Sequence, residues 1–224
     1  MQTLYAHPWR VSPALARIIQ EEYADEVERE DRFGPVRHVG GVDIGFEDGG
    51  RITRAALVVL RFPDLALVER VIVRQPTRFP YIPSLLSFRE IPALLQALAH
   101  VRIEPDVILC DGQGIAHPRR FGLASHLGVM TDRPTIGVAK QRLVGQYREP
   151  RQRRGAWSAL QDKDEVIGAA LRTRAEAQPV FISTGHRVSL ESAIDLVMAC
   201  TPRYRLPETT RQAHRFASTA AGAH

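Results

Sequence analysis

The chain has 224 residues, a formal net charge of +5 and a sequence pI of about 9.7. That length supports one substantial core and is short for two, and the longest apolar runs, 55–60 and 107–110, are strand-sized, which excludes a helical membrane span. The N-terminus lacks the basic-then-apolar layout of a secretory signal. Cys110 and Cys200 have no CxxC partner, so a soluble cytoplasmic protein with buried, reduced thiols is expected rather than a disulfide scaffold or a zinc site.

Ser12-Pro13 reads as an N-cap and first helical residue, and Leu15, Ile18, Ile19, Tyr23 and Val27 follow at helical spacing. From Val36 the period changes to two. Residues 36–46, 52–62 and 65–75 read as three strands, with turn signals at Glu47-Asp48-Gly49-Gly50 and Pro63-Asp64, hence an antiparallel meander. A helix over 85–100, a strand over 106–111, a helix over 121–130 and a strand over 135–139 follow, and this alternation adds parallel strands to the meander. A strand pair at 166–173 and 180–183, a helix capped by Ser189 and running to Cys200, and a last helix starting at Pro207 complete the order. Between them, 147–155 carries Arg148, Arg151, Arg153 and Arg154 and reads as an exposed basic loop. The expected organisation is one domain over 1–216, of α/β class, with a disordered tail over 217–224.

Three acids then stand out. Asp43 sits within a glycine-flanked strand, where a carboxylate is costly unless a cation or a donor meets it. Asp111 ends an apolar parallel strand, the place where open α/β sheets form ligand sites. If the two strands are neighbours, the strand spacing of about 4.8 Å lets both carboxylates share one cation. Magnesium suits such an oxygen-rich set without His/Cys spacing. Glu90 closes Ser87-Phe88-Arg89-Glu90, which fits an S-x-x-E capping box as well as a site acid at a helix opening. Lys140 and Lys163 are the only lysines among thirty basic residues, and Lys140 directly follows an apolar strand, which suggests a need for a compact ammonium.

Phe79-Pro80-Tyr81-Ile82-Pro83 is stiff and mostly apolar, the build of a wedge that enters a base step or of a loop packed on its own core. Gly112-Gln113-Gly114 lets a base or a phosphate approach the backbone, or makes a plain turn. His117-Pro118-Arg119-Arg120 places cations beside the acids.

In order, the segments Gly41-Val42-Asp43, Phe79 to Pro83 with Leu85-Leu86-Ser87-Phe88-Arg89-Glu90, Asp111-Gly112 with Gly114-Ile115-Ala116-His117-Pro118-Arg119, Gly137-Val138-Ala139-Lys140, and Gly185-His186-Arg187 with Ser189-Leu190-Glu191-Ser192-Ala193 resemble the endonuclease V family. The likeness runs from Val39 to about Phe216. It implies a ribonuclease-H-like mixed sheet flanked by helices, and magnesium-dependent hydrolysis, with manganese as a substitute, of the second phosphodiester bond 3′ to hypoxanthine. In that family pattern Asp43 and Asp111 hold the metal and Glu90 completes or orients its shell. Lys140 stabilises phosphate charge or positions the attacking water, and His214 acts in proton transfer or is simply an exposed helical histidine.

The resemblance also implies that Pro80, Tyr81, Ile82 and Pro83 enter the stack while the damaged base turns out into a pocket around Ser84, Leu85, Gly112 and Gly114. His117 and Arg119 flank the strand. The implied partner is DNA with deaminated bases, inosine-containing RNA being the alternative, and the implied state a monomer. Ile44-Gly45-Phe46, Ser84 and Gln113 depart from the family pattern, which bears on the fit of the base pocket. Another ribonuclease-H-like nuclease or a non-cleaving nucleic-acid-binding module are the competing readings; the first has no need of Tyr81 between prolines, and the second has no need of the full acid set.

Overall fold

The computed structural model describes residues 6–218. Short runs rich in valine, isoleucine and leucine in the first half of the chain form β1 (His38–Glu47), β2 (Ile52–Arg61) and β3 (Leu67–Pro76). They pair as an antiparallel meander, β1 passing to β2 through one tight turn at Asp48–Gly50. Then come α2 (Leu86–His100), β4 (Val107–Cys110), α3 (Leu123–Thr131), β5 (Thr135–Ala139), β6 (Trp157–Asp162), β7 (Glu165–Leu171), β8 (Val180–His186), α4 (Leu190–Ala199) and α5 (Glu208–Ser218), with α1 (Pro13–Ala24) before the sheet.

All eight strands form one mixed sheet in the order β3-β2-β1-β4-β5-β8-β7-β6. β4 is parallel to β1 and β5 parallel to β4, whereas β8, β7 and β6 continue antiparallel. Alternation along each central strand sends its side chains into two separate cores. Ile108 and Cys110 join Val42, Leu57, Ile91, Leu94 and Leu127 under α2 and α3. Val107 and Leu109 join Val39, Val58, Ile136, Ile182, Val197 and Ala213 under α4 and α5 on the opposite face. Strands covered on both faces are apolar throughout, as β2 is from Ala55 to Leu60.

Four sequence expectations change. Helix α1 ends at Ala24, so Val27 lies beyond it, and Leu15 and Ile18 are exposed while Ala16, Ile19 and Gln20 form the buried stripe. Strand β6 was not anticipated. The pair at 166–173 and 180–183 is displaced slightly, to Glu165–Leu171 and Val180–His186. The last helix runs through Ala217 and Ser218, two residues taken as tail, because Ala217 is buried against β1; residues 219–224 lie outside the described residues. The loop at 147–155 is largely exposed, as its arginines suggest. Among the described residues no helix is long and apolar enough to cross a membrane.

Candidate active site

Parallel pairing of β1 with β4 sets Gly41 beside Leu109 and Val42 beside Cys110, so the next step of the register brings Asp43 level with Asp111. Asp43 shares its face of β1 with Gly41 and Gly45, which look toward α5. There the helix presses close: a Cβ on Gly41 would stand 2.3 Å from the Thr209 carbonyl oxygen, and one on Gly45 2.2 Å from that of Ala217. Only glycine at both positions admits α5 at this distance. The approach delivers His214, whose Nδ1 donates to Asp43 Oδ2 at 2.7 Å.

Lys140 follows β5, the neighbour of β4, and its Nζ donates to Asp111 Oδ2 at 2.5 Å. Asp43, Asp111 and His214 each offer one ligand atom within 4.8 Å of the other two. Glu90 stands outside that trio, yet it feels both aspartates. Burial first, then the Asp43 and Asp111 charges, push its carboxyl up to about 8. Burial and the Asp111 charge likewise raise Asp43, against the opposing hydrogen bonds from His214 and the Ile44 amide. Carboxylates that resist ionising together are stabilised by a cation, and this donor set of oxygens with one imidazole fits a hard divalent ion.

The shifts predict a pH dependence. Glu90 holds its proton more tightly in the folded protein than in the unfolded chain. Its contribution to stability is therefore complete below about pH 4.5 and is lost as the pH rises through about 8. Urea titrations of chelator-treated protein should show stability falling across that window, and Glu90→Gln should flatten the fall. An unchanged slope in the variant would refute the assignment.

Glu90 is not a helix cap. Helix α2 starts at Leu86 after Leu85, which makes no side-chain cap bond. The Ser87 hydroxyl that the capping box required is bonded to the buried His126 Nδ1 at 2.9 Å, so Glu90 is left to face the acids.

Beside Glu90 and Asp111 opens a cavity of about 280 Å³. Gln20, Ser84, Ser87, Gly112, His117 and Leu123 line it, and Tyr81 and Pro83 stand at its wall. Tyr81 is 68% exposed, whereas Phe79 below it is buried with Leu85 and Phe88. The segment thus has an anchored base and a free aromatic tip; Pro80 is exposed and Ile82 half-buried between them. Ser84 adopts φ +65°, and its carbonyl accepts from Gln20 Nε2 at 3.0 Å, His117 Nε2 at 2.9 Å and Arg119 Nη2 at 3.1 Å. Arg119 also bonds the Ser84 hydroxyl at 2.8 Å and Gln20 Oε1 at 2.7 Å.

Four expected contacts, Leu85, Gly114, His117 and Arg119, have partners of their own in the fold. Leu85 lies in the core beneath the loop, and Leu86 and Leu123 supply the apolar wall instead. Gly114 sits behind the cavity, its amide donating to Ser183 Oγ and its carbonyl accepting from Gly122. His117 is no cation: burial drives it down to about 4, and its Nε2–H is spent on Ser84. Arg119 is committed to the Ser84 loop, and Arg120 to Asp162 and Glu165. Sequence reasoning missed Gln20, a polar residue on a helix with no motif around it. Its buried amide donates to the loop carbonyls of Ser84 and Phe121 and accepts from Arg119.

A family model described as Endonuclease V matches residues 21–215. A curated endonuclease V from Nostoc is 56% identical over 219 residues, covering 97% of this chain and 99% of the relative. The crystal structure of the Streptomyces avermitilis endonuclease V superposes with a TM-score of 0.89 at 44% identity, over 93% of this chain and 92% of that one. A Ciona intestinalis endonuclease V, solved with a 24mer DNA containing an inosine followed by a ribo-adenosine, gives a TM-score of 0.80 at 30% identity, over 91% and 95% of the two chains. Register-matched acids at the junction of β1 and β4, the sheet that carries them and agreement over nearly the whole chain lead to one assignment: the chain belongs to the endonuclease V family.

Proposed function

We propose that the protein is a magnesium-dependent endonuclease that nicks DNA at the second phosphodiester bond 3′ to a deaminated purine, above all hypoxanthine. The observation that carries this reading is the convergence of Asp43 and Asp111 beside a base-sized cavity with a free aromatic tip at its wall. The Ciona relative held with inosine-containing DNA supports the substrate class.

Asp43 and Asp111 are the residues to hold the ion, with Glu90 behind them. A divalent cation bound there would supply Lewis acidity at the phosphate and lower the pKa of water. The chain's own groups do the rest. Lys140, paired to Asp111, places an ammonium next to the strand to offset phosphate charge. His214 Nδ1 orients Asp43, and its Nε2, 3.3 Å from the Ser218 hydroxyl on an exposed helix face, is the atom through which the ring would exchange a proton with solvent. Gln20, His117 and Arg119 fix the Ser84 carbonyl, so the cavity wall is formed before a base arrives.

Tyr81 fills the space left by the extruded base. Tyr81→Ala should weaken binding of an inosine-containing oligonucleotide by about 1–3 kcal/mol, the worth of one stacking contact. Fluorescence anisotropy measures it, and unchanged affinity would make Tyr81 an ordinary surface residue. The function itself is tested by nicking of matched inosine and undamaged oligonucleotides in magnesium, with inosine in DNA and RNA side by side. Selective nicking of the inosine strand is expected. Equal nicking of the control contradicts lesion recognition.

A further inference from the structure

The base cavity does not end the surface groove at the acids. A second cavity of about 410 Å³ begins at Lys140 and is walled by Gln141, Arg142, Tyr147, Phe181 and Arg205. It shares Gln141 and Arg142 with the base cavity, and Lys140 links it to Asp111. A third, of about 470 Å³, shares Tyr147 and continues along Arg148, Ser158 and Gln161 on the outer edge of β6. The three make one path from the base cavity, past the metal ligands, to the edge of the sheet.

The path is built rather than loose. Gln146 and Gln161 exchange both backbone hydrogen bonds, at 2.6 and 2.8 Å, which pins the loop to β6. Ser158 Oγ donates to the Arg148 carbonyl, and the Tyr147 ring meets Phe181 edge-on at 5.2 Å. Arg205 braces the inner wall through the carbonyls of Lys140, Gln178 and Pro179.

Its charge is one-sided. Residues 140–154 hold six basic residues and a single acid, Glu149, whose carboxylate is taken by Arg172. At the hairpin joining β6 to β7, Asp162 and Glu165 are held by Arg120, and Asp164 at the tip is exposed. Arg154 is spent on the Met198 and Thr201 carbonyls. Arg148, Arg151 and Arg153 remain exposed, with no carboxylate partner among the described residues. A run of arginines is usually a solvated face; here Arg148 lines a pinned groove continuous with the acids, and Arg151 and Arg153 follow it within five residues on the same exposed loop, the arrangement a tracked polyanion requires.

We propose that this groove is a second nucleic-acid-binding surface, in which Arg148, Arg151 and Arg153 hold phosphates of the strand on the 3′ side of the cleaved bond. A strand with its damaged base in the first cavity and its reacting phosphate at Asp43 and Asp111 continues past Lys140 into the groove. The assignment rests on the nuclease reading above and extends it to the length of strand engaged.

The test uses the full chain in chelator-containing buffer and single-stranded inosine oligonucleotides. One set keeps the 5′ flank constant and has a 3′ flank of about 3 or about 12 nucleotides; a mirror set varies the 5′ flank. Wild-type protein should bind the long 3′ flank on the order of tenfold more tightly than the short one at low salt, an electrostatic gain. The triple variant Arg148→Ala/Arg151→Ala/Arg153→Ala should lose that gain and bind the short substrate as wild type does. Its log–log salt slope on the long substrate should be shallower by about 2, three contacts at roughly 0.7 each. Thermal melting of the variant confirms that it is folded. Persistence of the 3′-flank gain in the variant overturns the proposal, as does a loss that follows the 5′ flank or is equal on the short substrate. The lesion reading fails separately: the 3′-flank effect on an undamaged strand, with no selective nicking of inosine, leaves the groove and removes the substrate.

Discussion

Asp43→Ala and Asp111→Ala should each abolish magnesium-dependent nicking of an inosine oligonucleotide while leaving most of the binding intact. The two carboxylates are the only acids whose ligand atoms meet within 4.8 Å of each other and of His214 among the described residues. Losing either removes the charge that holds the cation, and transition-state stabilisation by a metal is worth several kcal/mol, a rate loss of about a thousandfold or more. Binding depends on the base cavity, Tyr81 and the arginines; Asp43→Ala leaves all of these in place, and Asp111→Ala removes one carboxylate from the cavity edge. Single-turnover nicking and anisotropy on the same substrate separate the two effects. A variant that nicks within tenfold of wild type would show that its carboxylate is dispensable.

The second large effect comes from a residue with no side chain. In Gly41→Ala the new methyl would lie 2.3 Å from the Thr209 carbonyl oxygen, a backbone atom that cannot rotate away. Helix α5 must then shift from β1. The overpacking should cost about 1–3 kcal/mol or more, and the shift should carry His214 off Asp43. Stability by urea unfolding and nicking rate should fall together. Gly45→Ala meets the Ala217 carbonyl oxygen at 2.2 Å and should behave alike. Wild-type stability and rate in both variants would mean that α5 is not held by this contact.

These two sites mark what the sequence could disclose. The Asp43–Asp111 pairing was legible because an apolar run ending in Asp-Gly is a parallel-strand terminus, and adjacent strands have one spacing. The meander and the strands β4 and β5 were legible too, since short runs of apolar, β-branched residues bounded by turn signals mark strands buried on both faces. The docking of α5 was not. Gly41 and Gly45 flag close approach without naming the partner, and His214 entered only through family likeness. The misread cap at Ser87 has a related cause: its hydroxyl satisfies a buried histidine far along the chain instead of its own helix. Strand β6 escaped because only Leu160 of its six residues is buried, leaving no alternation to detect. Gly45 and Ser84, two of the departures from the family pattern, now have local partners in Ala217 and Arg119.

Binding of manganese, followed by its paramagnetic resonance signal in wild-type, Asp43→Asn and Asp111→Asn proteins, tests the shared cation site most directly. Bound ion in the wild type and its loss in both variants is the predicted result. Wild-type affinity in either variant would contradict a site that both carboxylates form together.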